Sequence, residues 1–399
     1  FAPPRDGITI VTSHREGNIV ALNPDGTVLY HNNTYDGYWD VDPSSEGSHT
    51  VVYAASAKVS DSSICHPVDN QNHCIKQMIV QDNLTSGKIE ILYSRLDPRY
   101  SSSEWHDVDH VKGSLYAVAD MYSEEVFIVD VNSGIVTWEW GLQSAFSTST
   151  GNQYPRDWVH LNDVEVLTDG RLMLSARNLD QVLFVDPTEG LDETWTIGGD
   201  DELGTLFEQH NPDYIPEVMG GPAVLIADSE NDRIVEYQRT QDGDWTESWI
   251  WQDQQMQWPR DADRLPNGNT LIGDSGGNRV IEVNQTGGIV WQLNYPGNYE
   301  VERLETGDES TGGESASQLN LTSTIDSPDS ENPVFSLYYL IKQSLPSKVV
   351  NGLINGTPLW MGFPQIVAGV PLFLSLITWF TAEWRWSDFS FRFPVTLRK

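Results

Sequence analysis

Six short acidic segments recur between residues 40 and 302, and each is followed by alternating apolar and polar residues with no helical periodicity. They read Asp40-Val41-Asp42, Asp107-Val108-Asp109, Asp163-Val164-Glu165, Asp213-Tyr214-Ile215, Asp261-Ala262-Asp263 and Glu300-Val301-Glu302, at spacings of 67, 56, 50, 48 and 39 residues. Alternation turns one face of a segment toward a core and the other toward polar surroundings, so each acidic segment marks the start of a strand. A second strand follows, as at Ser114 to Ala119, Arg171 to Ala176, Val224 to Ala227 and Thr270 to Gly273. A hairpin comes next, as at 124–140, 180–197, 232–251 and 278–293. A four-stranded unit cannot cover both of its apolar faces alone, and units of this kind arranged around an axis make a β-propeller. The expected fold class is all-β, a six-bladed β-propeller over residues 1–305.

The sixth start, at Glu300, has no strands after it. Ile8 to Thr12, Asn18 to Leu22 and Thr27 to Tyr30 have the pattern of second, third and fourth strands but lack an acidic start. N-terminal strands are therefore expected to complete the blade begun at Tyr299 to Leu304, which closes the ring and removes the sheet edges that invite aggregation.

First strands of propeller blades line the central channel, so the residues before each acidic start are the place to look for chemistry. Three of the nine histidines stand there: His106 before Asp107, His160 in His160-Leu161-Asn162-Asp163, and His210 in His210-Asn211-Pro212-Asp213. The next unit has Arg260 before Asp261. At the turn after the second strand four units read VADMYSEEV, LSARNLDQV, IADSENDRI and IGDSGGNRV, and only one carries a cation, Arg177, where Met121, Ser229 or Ser275 stands elsewhere. His14 occupies the same phase in the closing blade. A guanidinium among imidazoles suits an oxyanion such as sulfate, phosphate or carboxylate, with His14 and Arg260 as substrate-binding candidates; a surface salt bridge is the alternative for Arg177. The repeated acids fit blade-stabilising hydrogen-bond acceptors better than catalysts, because every unit has them. His31, His49, His66, His73 and His110 are assigned to exposed loops.

There are 58 Asp+Glu against 23 Lys+Arg, a formal charge of 23 − 58 = −35, which excludes a nucleic-acid binder. With 39% hydrophobic residues the chain is no disordered acidic tail. Acids spread along the whole length read as a halophilic surface, or as that of an ordinary acidic secreted protein. Cys65 and Cys74 are the only cysteines and suit a loop-closing disulfide better than a metal pair. Asn32, Asn83, Asn284, Asn320 and Asn355 each begin an Asn-x-Ser/Thr glycosylation sequon. From Pro358 to Ala382 the chain runs 25 residues without a charge, long enough for a transmembrane helix, expected at 357–382, with a buried helix as the alternative. Residues 306–332 read as an acidic Gly/Ser-rich flexible linker, 333–356 as a juxtamembrane amphipathic segment, and 383–399, with four cations against two acids, as a cytoplasmic tail. The expected location is the cell membrane, single-pass, with the propeller outside.

The run PRDWVHLNDVEVL, followed by LMLSARNLDQVLFVDP, EQHNPDYI and IADSENDRIVEY, resembles the aryl sulfotransferases that use no nucleotide sulfate donor, in a haloarchaeal-type, membrane-anchored form. Its most specific pieces are His-x-Asn-Asp at 160–163, Ser-x-Arg-Asn at 175–178 and Gln-His-Asn at 209–211, in that order. The resemblance implies that a sulfuryl group passes from a phenolic sulfate ester to an acceptor through a sulfated histidine. By motif, His210 is the nucleophile; His160, Asn162 and Arg177 hold the sulfuryl oxygens; His106 is a further channel histidine, and His106 or His160 is the general acid. No cofactor and no metal are implied. The partners are an aryl sulfate donor and a phenolic or glycan acceptor, with homo-oligomeric or cell-envelope association left open. Two other readings remain: a non-catalytic cell-surface propeller that binds a glycan or an envelope protein, and a metal site with His106, His160 and His210 as ligands.

Overall fold

A computed structural model of the chain describes residues 7–45, 47–69, 72–98, 104–155, 157–325, 345, 347–356 and 363–386. Two compact units form, Phe1–Asp329 and Ser330–Lys399. The first contains six antiparallel sheets, each built outward from an inner strand. Blade 3 shows the plan: Trp105–Lys112 is innermost, then Leu115–Asp120, Glu125–Asp130 and Ile135–Gly141, with the second and third strands largely buried and the fourth largely exposed. Burial falls off outward because the middle strands are covered on both faces by neighbouring blades. Each blade-to-blade interface has its own apolar cluster, such as Val126 and Ala117 of blade 3 against Leu174 and Leu183 of blade 4. At the seam, Val11 and Val301 of blade 1 meet Leu271 and Val280 of blade 6. The ring is therefore closed by core packing all the way round.

Blade 1 joins distant parts of the chain, as its sequence pattern suggests. Thr9–Ser13 pairs antiparallel with Val301–Arg303, with Thr9 opposite Arg303 and Val11 opposite Val301, and Asn18–Leu22 and Val28–Asn32 complete the sheet.

The repeated acids clasp adjacent blades. Val108 N–H donates to Asp40 (3.1 Å), Val164 N–H to Asp107 (2.6 Å), Val301 N–H to Asp261 (2.8 Å) and Val41 N–H to Glu300 (3.2 Å). Two residues further along the strands, Val166 N–H donates to Asp109 (2.5 Å) and Tyr214 N–H to Glu165 (2.8 Å). Each bond joins the inner strand of one blade to that of the next, in a buried setting where an unmade bond costs on the order of 1–3 kcal/mol.

Cys65 and Cys74 form the disulfide, with Cα atoms 5.4 Å apart, and so hold no metal. It ties the helix Ser62–Asp69 to the strand Cys74–Asn83 of blade 2.

Three expectations are corrected. The linker expected at 306–332 is structured through residue 325: Ser310 Oγ donates to Asp213 (2.5 Å), Ala316 N–H to Glu236 (2.8 Å), and Thr324–Ile325 pairs in parallel with the outer strand of blade 5. Its polar residues satisfy groups of the propeller instead of facing water. Asn32 is 5% exposed and its amide donates to Asp82 (3.2 Å), so a side chain read as a glycan acceptor belongs to the core. The membrane span expected at 357–382 is not supported, because among the described residues no helix is long and apolar enough to cross a membrane. The helix in that region is Phe363–Trp386, which starts later than expected and takes in Glu383 and Arg385. Residues 326–344 of the linker and amphipathic segment, 357–362 of the span, 387–399 of the tail and the Asn355 side chain lie outside what is described.

Deleting residues 1–30 removes three strands of blade 1 and bares the edge of Val301–Arg303. The expected outcome is loss of the cooperative thermal transition of the propeller in calorimetry, whereas an accessory hairpin would leave the transition in place.

Candidate active site

A break in strand register at one end of the channel sets the site. In blade 3, Asp107 pairs with Ala119 and Trp105 with Asp120, which leaves His106 unmatched. In blade 4, Asp163 pairs with Ser175 and Leu161 with Ala176, leaving Asn162. In blade 6, Asp261 pairs with Gly273 and Pro259 with Asp274, leaving Arg260. In blade 5 Asn211 and Pro212 together face one residue, between pairs His210–Ala227 and Asp213–Leu225. An extra residue re-aims the local backbone, and here the bulges recur at the same level in four blades.

The segments leading into these bulges are held by acids at left-handed turns. Glu124, Asp180 and Asp232 have φ of 52°, 53° and 53°. Glu124 accepts from the amides of Val159 (3.0 Å) and His160 (3.3 Å), Asp180 from Glu208 (2.9 Å) and Asp232 from Trp258 (2.8 Å). Each blade thus fixes the site segment of the next.

The buried Tyr299 ring is the centre of the cluster. Ring centroids of His14, His106 and His210 lie 5.6, 5.8 and 6.2 Å from it, Trp39 lies 5.2 Å away, and the Arg260 guanidinium is 5.2 Å from its face. His106 also stands 5.0 Å from His160 and 4.4 Å from Trp39. The structure therefore brings together His14, His106, His160, His210, Arg177, Arg260 and Asn162.

Their hydrogen bonds differ in kind. His210 Nδ1 faces the Glu208 carbonyl (3.1 Å) and Ser229 Oγ (2.8 Å), whose own hydroxyl donates to the Pro259 carbonyl (2.7 Å). Both neighbours act as acceptors, so Nδ1 is assigned the proton and Nε2 the lone pair. His160 Nδ1 bonds to Asp157, and Arg177 Nη1 reaches His160 Nε2 (3.0 Å) while its Nη2 pairs with Glu208 (2.6 Å). Asn162 Nδ2 donates to the Gln209 carbonyl (3.0 Å), leaving one amide hydrogen for a ligand. Among the described residues Arg260 has no carboxylate partner; its Nη1 faces the His14 ring (3.1 Å), and its buried Nε has no partner.

Burial keeps the imidazoles neutral. His210, only 2% exposed, is held well below the usual histidine range by burial and then by Arg260 and Arg177. His106 is lowered by burial, then by His160 and His14, and His160 is lowered to about 4 by burial and Arg177, against the pull of Asp157. Neither His106 nor His160 then carries a transferable charge-bearing proton near neutral pH in the ligand-free protein, which corrects the expected general acid. Burial also lowers Arg260, to about 10, and holds the Tyr299 hydroxyl protonated, well above its usual range. The cup thus combines neutral imidazoles with a half-buried cation that lacks a counter-charge among the described residues, a combination suited to a small anion.

Trp39, Tyr299, Glu208 and Ser229 escaped the sequence reading. Trp39 and Tyr299 directly precede the acidic starts Asp40 and Glu300, the position that His106 and Arg260 hold in their units, so the signal was present. Ser229 stands at the turn position of Arg177 and His14. Among the described residues, the side-chain clusters with metal-ligand spacing contain carboxylates only, so the three imidazoles do not form the metal site held open as an alternative.

This is a six-bladed propeller with an anion-suited cup at one end of its channel. Residues 131–296 match the family model described as arylsulfotransferase (ASST). No curated protein matches the chain significantly. Similar solved structures include a protein of unknown function from Bacteroides caccae, at 13% identity over 75% of this chain and 98% of that one, with a TM-score of 0.49. A putative 6-phosphogluconolactonase from Bacteroides fragilis gives 14%, 75%, 99% and 0.46, and an inactive variant of virginiamycin B lyase from Staphylococcus aureus gives 12%, 74%, 83% and 0.43. Likenesses this distant carry no argument about activity.

A half-buried cation without a partner opposes folding until an anion joins it. Arg260→Met is expected to raise the thermal midpoint in chloride and to abolish the further rise that sulfate produces in the parent protein at equal ionic strength. A sulfate-induced rise of equal size in both proteins would contradict the assignment.

Proposed function

We propose that the chain is an aryl sulfotransferase that works through a sulfated His210, taking an aryl sulfate as donor and a phenol or glycan hydroxyl as acceptor. The carrying observation is the state of His210: neutral, buried, with Nδ1–H held by the Glu208 carbonyl and Ser229, and with Nε2 free of hydrogen bonds among the described residues. The arylsulfotransferase match over 131–296 covers the outer strand of blade 3 and all of blades 4, 5 and 6, and supports the reading at the level of the family.

In the first step the Nε2 lone pair attacks sulfur, an N–S bond forms, and the S–O bond to the aryl group breaks with its electron pair leaving on the phenolate oxygen. Positive charge that develops on the imidazole is stabilised by the Glu208 carbonyl at Nδ1. Arg177 and Arg260 balance the nonbridging oxygens. In the second step the acceptor oxygen attacks sulfur, the N–S bond breaks with its pair returning to Nε2, and a neutral imidazole, that of His106, takes the acceptor's proton. The Cys65–Cys74 disulfide supports an extracytoplasmic location for the propeller.

Incubation with 4-nitrophenyl sulfate and a phenol tests the reading. The parent protein is expected to release nitrophenolate with ping-pong kinetics and, without acceptor, to gain about 80 Da on His210. His210→Asn is expected to lose both the release and the adduct, and an adduct that persists in this variant would overturn the assignment. Losing one oxyanion donor in Arg177→Met is expected to lower kcat by about 10²–10³.

The pH profile follows from the neutral imidazole. Protonation removes the Nε2 lone pair, and the folded protein lowers the pKa from its ordinary value of about 6.5. Activity therefore falls only on the acid side, and the acid limb of kcat/KM is expected to lie below pH 6.5. A limb at or above that value would mean that His210 is exposed or is not the group titrating.

A further inference from the structure

Beyond the imidazoles, the channel is filled with carboxyl groups. The first layer contains Asp40, Asp107, Asp163, Asp213, Asp261 and Glu300. The next contains Asp42, Asp109, Glu165, Asp263 and Glu302, and the segment after blade 1 adds Asp308 and Glu309. Among the described residues no inner-strand arginine forms a salt bridge with them: Arg264 pairs with Glu236 (2.9 Å), though its charge also favours the anion of Asp213, and Arg303 pairs with Glu282 (3.1 Å).

Most of these acids clasp a neighbouring amide, as described above, but Asp263 does not. It is 1% exposed, and both of its carboxylate oxygens are buried without a hydrogen-bond partner. Asp213 is fully buried and uses one oxygen to accept from Ser310 Oγ, while its other oxygen is also without a partner. Ligand oxygens of Asp213, Asp263 and Glu309 lie within 4.8 Å of one another. Left as bare anions, the buried Asp213 and Asp263 and the half-buried Glu309 would repel strongly and would lack much of the water that solvates carboxylates elsewhere.

We propose that Asp213, Asp263 and Glu309 form a buried site for a calcium-like divalent cation, which ties the segment after blade 1 to the inner strands of blades 5 and 6. The donor set is all oxygen, which selects a hard cation and disfavours softer metals. Calcium fits better than magnesium, because calcium accepts irregular sets of carboxylates and dehydrates readily, whereas magnesium demands a near-ideal octahedron and retains water. Asp263 is pushed upward by burial and then by Glu302, and Glu309 by burial and then by Asp213, with which it also shares a hydrogen bond; a cation bound there would take the place of that shared proton. Glu309 also converges with Asp40, Asp42 and Glu300. Asp42 in turn lines a cavity of about 250 Å³ with the exposed His110 and the half-buried Tyr116 and Asp308. The proposal is independent of the sulfotransferase reading, since it involves neither the imidazoles nor Arg177 and Arg260.

The test is metal content. Full-length protein is stripped with chelator, desalted, dialysed against about 1 mM calcium, the upper end of the range over which extracellular calcium modules bind, and assayed by elemental analysis beside its thermal midpoint. The expected result is about one tightly held calcium per chain, a higher midpoint with calcium than with chelator, and no matching rise with magnesium. Asp263→Asn is expected to weaken binding tenfold or more, on the order seen when a metal site loses supporting groups, while Asp25→Asn, at an exposed turn, leaves it unchanged. Parent protein that holds no calcium above the dialysis buffer, or whose midpoint does not respond, overturns the proposal whether or not the Asp263 variant folds. Equal calcium content in a folded Asp263→Asn protein also overturns it.

Discussion

A carboxylate that crosses from one inner strand to the backbone amide of the next is the interaction on which this propeller rests. It places carboxyl groups on the axis of the ring, where they are buried. Asp40, Asp107, Asp261 and Glu300 each make this contact. Burial and neighbouring acids push Asp40 and Asp261 above the usual carboxyl range, and the amide bonds from Val108 and Val301 pull against that rise. The clasps also set the height of each inner strand relative to the next, and the positions of the mouth residues follow from that height.

The mouth uses the opposite device. Where the lower channel gathers acids, the segment just above gathers neutral imidazoles and two arginines, and the backbone leaves the regular ladder at the boundary between them. His106, Asn162 and Arg260 are the residues left over at the bulges. Glu124, Asp180 and Asp232, in left-handed turns, hold the incoming segments by their amides. The constraint therefore comes from the preceding blade, so an imidazole in blade 4 is positioned by a turn in blade 3. Arg260 alone is left without an acid, a local cost to folding that makes sense at a place where an anion is received.

Much of the fold was legible in the chain, for a physical reason: the clasping acid and the alternation after it are demands that every blade must meet, so they repeat. Closure by Thr9–Ser13 followed from counting, since strands without a start and a start without strands must find each other. The site was legible only in part. His106, His160, His210 and Arg177 stand out as residue types, whereas Tyr299 and Trp39 look like ordinary core aromatics until the channel position is considered. Glu208 and Ser229 act on the imidazoles through contacts that no spacing encodes. The segment after Leu304 was misread because Gly, Ser and acids suit a solvated tether equally well; it takes the register of the folded ring to turn Ser310 and Glu309 toward buried carboxylates. The apolar stretch near the C-terminus misled in a similar way, since absence of charge over a given length constrains a helix without saying what surrounds it.

Closure of blade 1 also bears on how the molecule comes into being. Thr9–Ser13 is made nearly three hundred residues before its partner Val301–Arg303. Through most of synthesis the first three strands have an unsatisfied edge, and the five blades between them have no ring to close. Closure of the ring is thus deferred until Val301–Arg303 has been made, and pairings of such sequence separation form slowly. Val301–Arg303, which arrives long after its partner, is the strand that locks the ring.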